Sequence, residues 1–301
     1  MHIFCKIFLV FCLILPCWSL AKEDKPDLPS AITQEVRGQS FGQNMLSYIH
    51  AKWQSHINQL PFLFQPFPYS NQMEMYKAEK KLGTHRFLKK IAVKDENQII
   101  YMDPSRVLYT IPYFPEVDPE LVAEFPSPPY FTVLWEDKKF TKKIRELCEP
   151  TSGYKEISLT KGRISVAVHV RRGLTGEGKD EIAKNPAKFP PVSYYVAQLH
   201  KLNEIFKHAP LYVYVFTDHK YPEKVMKELE QKLDLTNVLF DCRKGLNNTR
   251  AHVVSDFYNM TRFMCLVRPE SNFSLVAELI GKHAIVIKPH GKKVHVKVRE
   301  K

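Results

Sequence analysis

The feature that most constrains the fold is the regular alternation of apolar strands and amphipathic helices between residues 164 and 289. Runs rich in β-branched residues predict strands at 164–170, 211–216, 238–241 and 284–289, and helical patterns lie at 193–208, 222–233 and 255–265. A helix between two strands returns the chain to the same side of a sheet, so this order predicts a doubly wound, mainly parallel α/β sheet. Ligands of such sheets bind just beyond the carboxyl ends of the strands.

The strand at 164–170 ends in the motif His169-Val-Arg171-Arg172-Gly173. Two guanidinium groups at a strand end suit an anion with several oxygens, such as a diphosphate. The motif therefore predicts a nucleotide-sugar site. The alternative is that His169 is a satisfied core residue and the arginines form surface ion pairs, because such short motifs also arise by chance.

A second candidate segment, residues 36–51, contains Gly38 and Gly42 and leads into a helical apolar pattern. It predicts a glycine turn before a helix N-terminus, where a ligand can approach the backbone and meet free N–H groups. The alternative is an ordinary loop entering a helix. Thr217, Asp218 and the turn around Ser271 are further candidates, since they follow strands or begin a helix.

The first half is less regular. Residues 97–102 and 106–111 predict short strands, residues 72–90 are polar and in part helical, and a helix ends near Cys148. Between positions 112 and 129 the sequence contains six prolines, which predict an extended connection.

The first 21 residues have one lysine and an apolar run from Ile7 to Leu15, followed by Ser19-Leu-Ala21. This pattern is typical of a secretory signal, and a thin bilayer also accommodates it as an uncleaved anchor. A buried N-terminal strand or helix is the alternative. The polar, proline-containing residues 22–30 that follow favour export.

Composition narrows the classes of partner. The 301 residues, 44% of them hydrophobic, predict a globular protein of roughly two domains. The net charge of +12 favours anionic ligands, among which nucleic acid is one candidate. No basic run interleaved with aromatics stands out, so a phosphate-bearing small molecule explains the charge equally well, and we predict no nucleic-acid partner. Three cysteines beyond the signal, Cys148, Cys242 and Cys265, make no disulfide framework, although one pair could form, and no metal-binding spacing occurs.

Five motifs occur in order along the body of the chain. They are Ser40–Tyr48, His169–Gly173, Ser193–Leu199, Val215–His219, and Asp256–Met260 together with Ser271–Ala277. In this order they resemble the α-1,2-fucosyltransferases of glycosyltransferase family 11 and, more distantly, the protein O- and α-1,6-fucosyltransferases. The matching family features are the opening glycine loop, the H-x-R-R-G-D motif, the YY helix, the I-F-S-D-D strand end and the final S-S-F-S segment.

The chain departs from the family pattern at four places. Gln43-Asn44 reverses an Asn-Gln order, Leu174 stands where an Asp is usual, and Asn272 replaces a serine. Leu275-Val276 replaces an aromatic pair. These departures concern donor and acceptor specificity. A diverged or inactive secreted homologue that binds carbohydrate or nucleotide sugar is therefore the alternative to an active enzyme.

The resemblance implies an α/β, GT-B-like fold of two Rossmann-like domains. It implies a metal-independent, inverting hexosyltransferase that moves fucose from GDP-fucose to a glycan hydroxyl, with the donor as a substrate and no cofactor, and specifically a galactoside α-1,2-fucosyltransferase. The predicted segments are 1–21 signal peptide or anchor, 22–35 stem, 36–155 acceptor-side α/β domain with the glycine turn, and 156–301 sugar-nucleotide domain.

The resemblance also implies roles for single residues. Arg171 and Arg172 stabilise the leaving diphosphate, and His169 orients the loop or contacts the nucleotide. The implied donor-binding residues are Gly42, Gln43, Asn44, Gly173, Asp218, Asp256, Ser271, Asn272 and Ser274. Helix capping is an equal alternative for the two aspartates. The nearest candidates for a general base are Glu177, Asp180 and Glu181, or else these form a solvated loop face.

A transferase that uses a GDP-sugar must work in a compartment that contains this donor, and a periplasm or culture medium does not. An N-terminal anchor then predicts a Golgi membrane protein with a lumenal catalytic domain, and secretion is the alternative. Sequons begin at Asn247, Asn259 and Asn272, and only Asn247 is expected in an exposed loop. A remaining alternative is a basic surface protein that binds phosphate polymers.

Overall fold

The computed structural model describes residues 30–38, 40–94, 106–115, 132–151, 153–173, 179–247, 252–290 and 293–298. The helices are α1 (Phe41–Asn58), α2 (Met75–Ala78), α3 (Lys138–Leu147), α4 (Lys179–Lys184), α5 (Val192–Ile205), α6 (Pro222–Lys232), α7 (Val253–Met260) and α8 (Asn272–Ile280). The strands are β1 (Ala31–Gln34), β2 (Lys89–Ala92), β3 (Val107–Ile111), β4 (Ile164–Val170), β5 (Leu211–Thr217), β6 (Val238–Cys242), β7 (Cys265–Val267), β8 (Ile285–His290) and β9 (Lys293–Val298).

The second half forms a six-stranded sheet in the order β6-β5-β4-β7-β8-β9. All neighbours pair in parallel except β8 and β9, which are antiparallel. The chain runs outward from β4 to β6 and then returns to place β7 on the other side of β4. The predicted doubly wound α/β sheet is therefore confirmed, and its strand order reverses between β4 and β7.

Two strands of this sheet, β7 and β9, were not predicted from the sequence. The helix expected at 255–265 ends at Met260, and Cys265–Val267 forms the buried central strand β7. Three residues are too few to show a period, so this strand is decided by its pairing with β4 and β8. The edge strand β9 was also not predicted. The turn expected at 269–274 contains the start of α8.

The first half contains a parallel three-stranded sheet in the order β1-β3-β2. Residues 31–34, which the sequence assigned to the stem, instead form the buried strand β1, which pairs in parallel with β3. Within the stretch expected to be polar and partly helical, α2 is one turn and β2 begins at Lys89. The predicted strand at 97–102 and the predicted signal at 1–21 lie outside the described residues. No helix within the described part of the chain has the length and apolar character to cross a membrane.

One hydrophobic core runs through both halves. It joins Met45 and Ile49 of α1 to Phe257 of α7 and Val276 of α8, all inaccessible to solvent. A second cluster packs the other face of the six-stranded sheet against α5 and α6. The three cysteines at 148, 242 and 265 are buried free thiols, so the disulfide that the sequence allowed does not form among them. The contact of α1 with α8 sets the position of the site described next.

Candidate functional site

A cleft of about 350 Å³ opens where the strand order reverses between β4 and β7. Its lining residues are Ser40, Phe41, Gly42, Gln43, Arg171, Lys188, Glu270, Ser271, Asn272 and Phe273. The cleft therefore brings together three segments that the sequence singled out separately: the start of α1, the end of β4 and the start of α8. Lys188, Glu270 and the two phenylalanines were not predicted.

Two helix N-termini meet at this cleft. Ser40 is the N-cap of α1 and Ser271 is the N-cap of α8, and within the described contacts neither hydroxyl caps its own helix. The first N–H groups of each helix lack intrahelical acceptors, and the helix dipoles add positive potential. This arrangement favours an anion in the cleft.

Gly42 allows the two helices to approach. A Cβ at Gly42 would lie 2.6 Å from the carbonyl carbon of Asn272 and 2.6 Å from the amide nitrogen of Phe273. The sequence suggested that this glycine admits a ligand to the backbone. The structure shows in addition that the backbone of α8 fills the space that a side chain at this position would need.

Arg171 leaves the end of β4 and lines the cleft. Its Nη1 donates a long hydrogen bond of 3.5 Å to Ser271 Oγ. Its guanidinium carbon lies 5.3 Å from the centre of the Phe189 ring, and the ammonium nitrogen of Lys188 lies 5.2 Å from the same ring. Two cations are thus gathered beside two helix N-termini, which is the electrostatic environment a diphosphate requires.

Arg172 takes a different direction. Its Nη2 lies 2.6 Å from a carboxylate oxygen of Glu228 on α6. Its backbone N–H and that of Gly173 donate to the two carboxylate oxygens of Asp218, at 2.6 and 3.1 Å. Gly173 has φ of +74°, a left-handed conformation that favours glycine. Asp218 therefore holds the loop that carries Arg171, and the ion-pair alternative applies to Arg172.

Three further predicted residues, His169, Asn44 and Ser274, pack or hydrogen-bond next to the segments that line the cleft. His169 is buried with its ring 5.6 Å from that of Phe273, and burial, with the charges of Arg171 and Arg268, lowers its pKa to about 3. Asn44 bonds the backbone of Arg37, accepting from its N–H at 2.8 Å and donating to its carbonyl at 3.0 Å.

Ser274 is fully buried, and its hydroxyl donates to the carbonyl of Ser271 at 3.3 Å. It therefore stabilises the start of α8. The resemblance had implied that Ser274 and Asn44 contact the donor directly, whereas the structure ties both side chains to backbone groups of the loops that border the cleft.

Asp256 forms an ion pair with Arg243, which follows β6. Burial raises the pKa of Asp256 to about 6, against the opposing charge of Arg243. The side chain proposed to contact guanine or ribose thus joins the first turn of α7 to the end of β6.

Sequence reasoning missed two supporting contacts. Asn272 Nδ2 donates to the hydroxyl of Tyr113 at 3.0 Å, which links the cleft to the segment after β3. Arg268, in the loop after β7, forms a buried ion pair with Glu278 of α8, in which Nη2 lies 2.5 Å from Oε2. The sequence could not place Arg268 beside the site, because the strand that it follows, β7, has only three residues and was not predicted.

The candidates for a general base remain predictions. Glu177 lies outside the described residues, as does Leu174, and of Glu181 only the backbone is described. Asp180 is exposed on α4. Asn247, expected in an exposed loop, donates to the carbonyl of Thr217 at 2.6 Å, so its amide is engaged within the fold.

Comparison with known proteins gives structural matches alone. No family model matches the chain, and no curated protein matches its sequence. FUT1 of Arabidopsis thaliana, as a variant in complex with GDP, superposes with a TM-score of 0.51 at 11% identity, covering 89% of this chain and 73% of that one.

Two other solved structures superpose more loosely. POFUT1 in complex with GDP-fucose has a TM-score of 0.46 at 13% identity, covering 87% and 96% of the two chains. The fucosyltransferase NodZ from Bradyrhizobium has a TM-score of 0.40 at 13% identity, covering 90% and 99%. The chain has a fold similar to GT-B fucosyltransferases. The predicted fold class is confirmed.

Proposed function

We propose that this protein is an inverting, metal-independent glycosyltransferase that transfers fucose from GDP-fucose to a hydroxyl of a glycan. One observation carries the proposal. Arg171, Lys188 and two helix N-termini border one cleft, at the place where the strand order reverses between β4 and β7. The fold, shared with a structure bound to GDP, supports a guanosine diphosphate as the occupant.

The geometry suits the chemistry of the donor. In the reaction the bond between the fucose anomeric carbon and the β-phosphate oxygen breaks, and a bond to the acceptor oxygen forms as its proton leaves. Negative charge grows on the diphosphate, where fixed cations and oriented N–H groups stabilise it without reorganisation. In this proposal Arg171, which contacts the N-cap Ser271, and the first turn of α8 perform this task.

Two finer parts of the proposal rest on the sequence alone: the first on the family motifs, and the second on the N-terminal pattern and the supply of the donor. These are the α-1,2 linkage to a galactoside and a Golgi location with an N-terminal membrane anchor. Product linkage analysis and localisation of the full chain test them separately from the donor.

The test of the main proposal is titration of the full chain with GDP, UDP and GDP-fucose, followed by acceptor-dependent GDP release. We expect micromolar binding of GDP, weaker binding of UDP, and GDP release that requires a galactoside acceptor. Absence of GDP binding contradicts the proposal. Binding of GDP-fucose without turnover on any glycan supports the diverged homologue that binds nucleotide sugar instead.

A further inference from the structure

Lys188 lies in a segment that joins the two strand-end loops of the cleft. The N–H of Glu270, in the loop after β7, donates to the carbonyl of Ala187 at 2.9 Å. The neighbouring Phe189 is 7% exposed and packs against the loop after β4, where a Cβ on Gly173 would lie 3.3 Å from its ring. Lys188 is therefore anchored on both sides, although it follows Arg172 by sixteen positions.

The ammonium group of Lys188 shares the ring of Phe189 with the guanidinium of Arg171. Because a ring attracts a cation within about 6 Å of its centre, both charged groups are attracted to Phe189. Lys188 itself is half-buried and lines the cleft. Lys188 and Arg171 therefore border the same cleft.

The charge of a diphosphate explains why a second cation matters. A nucleoside diphosphate that leaves its sugar carries two or more negative charges, and each helix N-terminus supplies about half a positive charge. Arg171 is a cation of the cleft lining, and Arg172 forms an ion pair with Glu228 on α6. Of the charged lining residues, Glu270 is acidic, so Lys188 gives the described lining a net positive charge.

We propose that Lys188 binds the diphosphate of the donor and is the second cation that stabilises it as it leaves. The inference rests on the proposed function and goes beyond the motifs, which assigned that role to Arg172. A lysine acts as a mobile point charge beside the fixed fork of Arg171, so it can follow the phosphate oxygens as the sugar bond breaks.

The experiment compares the wild type with Lys188→Met, Lys188→Arg and, as a matched control, Lys184→Met. Lys184 is an exposed lysine at the end of α4. GDP affinity is measured by calorimetry, and guanosine affinity by competition against labelled GDP. Loss of one charge-assisted phosphate contact predicts a roughly 10- to 100-fold weaker GDP affinity for Lys188→Met. Guanosine affinity should stay unchanged, Lys188→Arg should recover most of the loss, and Lys184→Met should match the wild type.

The outcomes separate the two proposals. Wild-type protein that binds no GDP overturns the proposed function and this inference with it. Wild-type binding that Lys188→Met leaves intact overturns the role of Lys188 alone. An equal loss of GDP and guanosine affinity also overturns it, because Lys188 would then support the shape of the cleft and not contact phosphate.

Discussion

Arg172 Nη2 lies 2.6 Å from a carboxylate oxygen of Glu228 on α6, while the neighbouring Arg171 lines the cleft. Adjacent arginines that look equivalent in the sequence thus have different partners. Arg171 contacts Ser271 at the start of α8, and Arg172 fixes its loop to α6. The difference defines which guanidinium group is placed to meet a phosphate.

Replacement of the two arginines tests this division. Arg171→Met should lower GDP affinity roughly 10- to 100-fold, since a charge-assisted contact to phosphate is lost. Arg172→Met removes a partly exposed ion pair, for which about 1 kcal/mol of stability or less is expected, and should weaken GDP binding far less. Calorimetry with GDP provides the comparison. Equal losses would show that Arg172 leaves Glu228 to bind the donor.

Asp218 is predicted to stabilise the loop through its two backbone hydrogen bonds. Asp218→Ala removes both acceptors and should lower the free energy of unfolding by about 2–4 kcal/mol. Asp218→Asn keeps one acceptor and should lie between Ala and the wild type. Denaturant unfolding measures the series, with the exposed Asp234→Ala as control. A helix-capping role alone would make Asn as stable as Asp.

Gly42→Ala separates helix propensity from packing. In an isolated helix, alanine is favoured over glycine by about 1 kcal/mol. In this structure the added methyl would meet the backbone of Asn272 and Phe273 at 2.6 Å, so we expect a loss of about 1–3 kcal/mol in the free energy of unfolding. Ile57→Ala, at an exposed position of the same helix, is the control. A gain in stability would show that α1 and α8 do not meet as described.

The buried pair of Arg268 and Glu278 should be costly to break. Burial alone raises the pKa of Glu278, but the charges of Arg268 and Lys288 outweigh it and hold the pKa below its usual value. Glu278→Gln leaves a buried guanidinium uncompensated and should cost about 3–5 kcal/mol. Glu35→Gln, which breaks an exposed pair with Arg37, should cost at most about 1 kcal/mol. Similar unfolding midpoints for both variants would contradict the burial of this pair.

His169 should make stability depend on pH. Its pKa in the folded protein is about 3, below the unfolded value of 6.5, so the unfolded state alone takes up a proton as the pH falls below 6.5. The contribution of His169 to stability is therefore complete above pH 6.5 and is about 2 kcal/mol smaller at pH 5. His169→Gln should lose less stability than the wild type between pH 7 and pH 5. Ring proton resonances of His169 that titrate between pH 5 and 8 would refute this.

The sequence by itself determined the parallel sheet of the second half. Strands such as β4 and β5 are buried on both faces, and the helices between them are amphipathic, so local periodicity reports both. The same pattern predicts a candidate binding site at the end of β4, because loops at carboxyl strand ends are where such sheets bind ligands. The sheet and the position of its strand ends could be predicted because they depend on residues that are close together in the sequence.

The tertiary structure decided what each residue does. Gly42 and Asn272 are 230 positions apart, and their contact exists only because α1 packs on α8. The three residues of β7 carry no period and become a strand through their partners. Whether Arg171 or Arg172 enters the cleft depends on the turn at Gly173 and on its bonds to Asp218. Charge and residue type predict that an anion binds here, but only the path of the backbone selects the side chains that reach it.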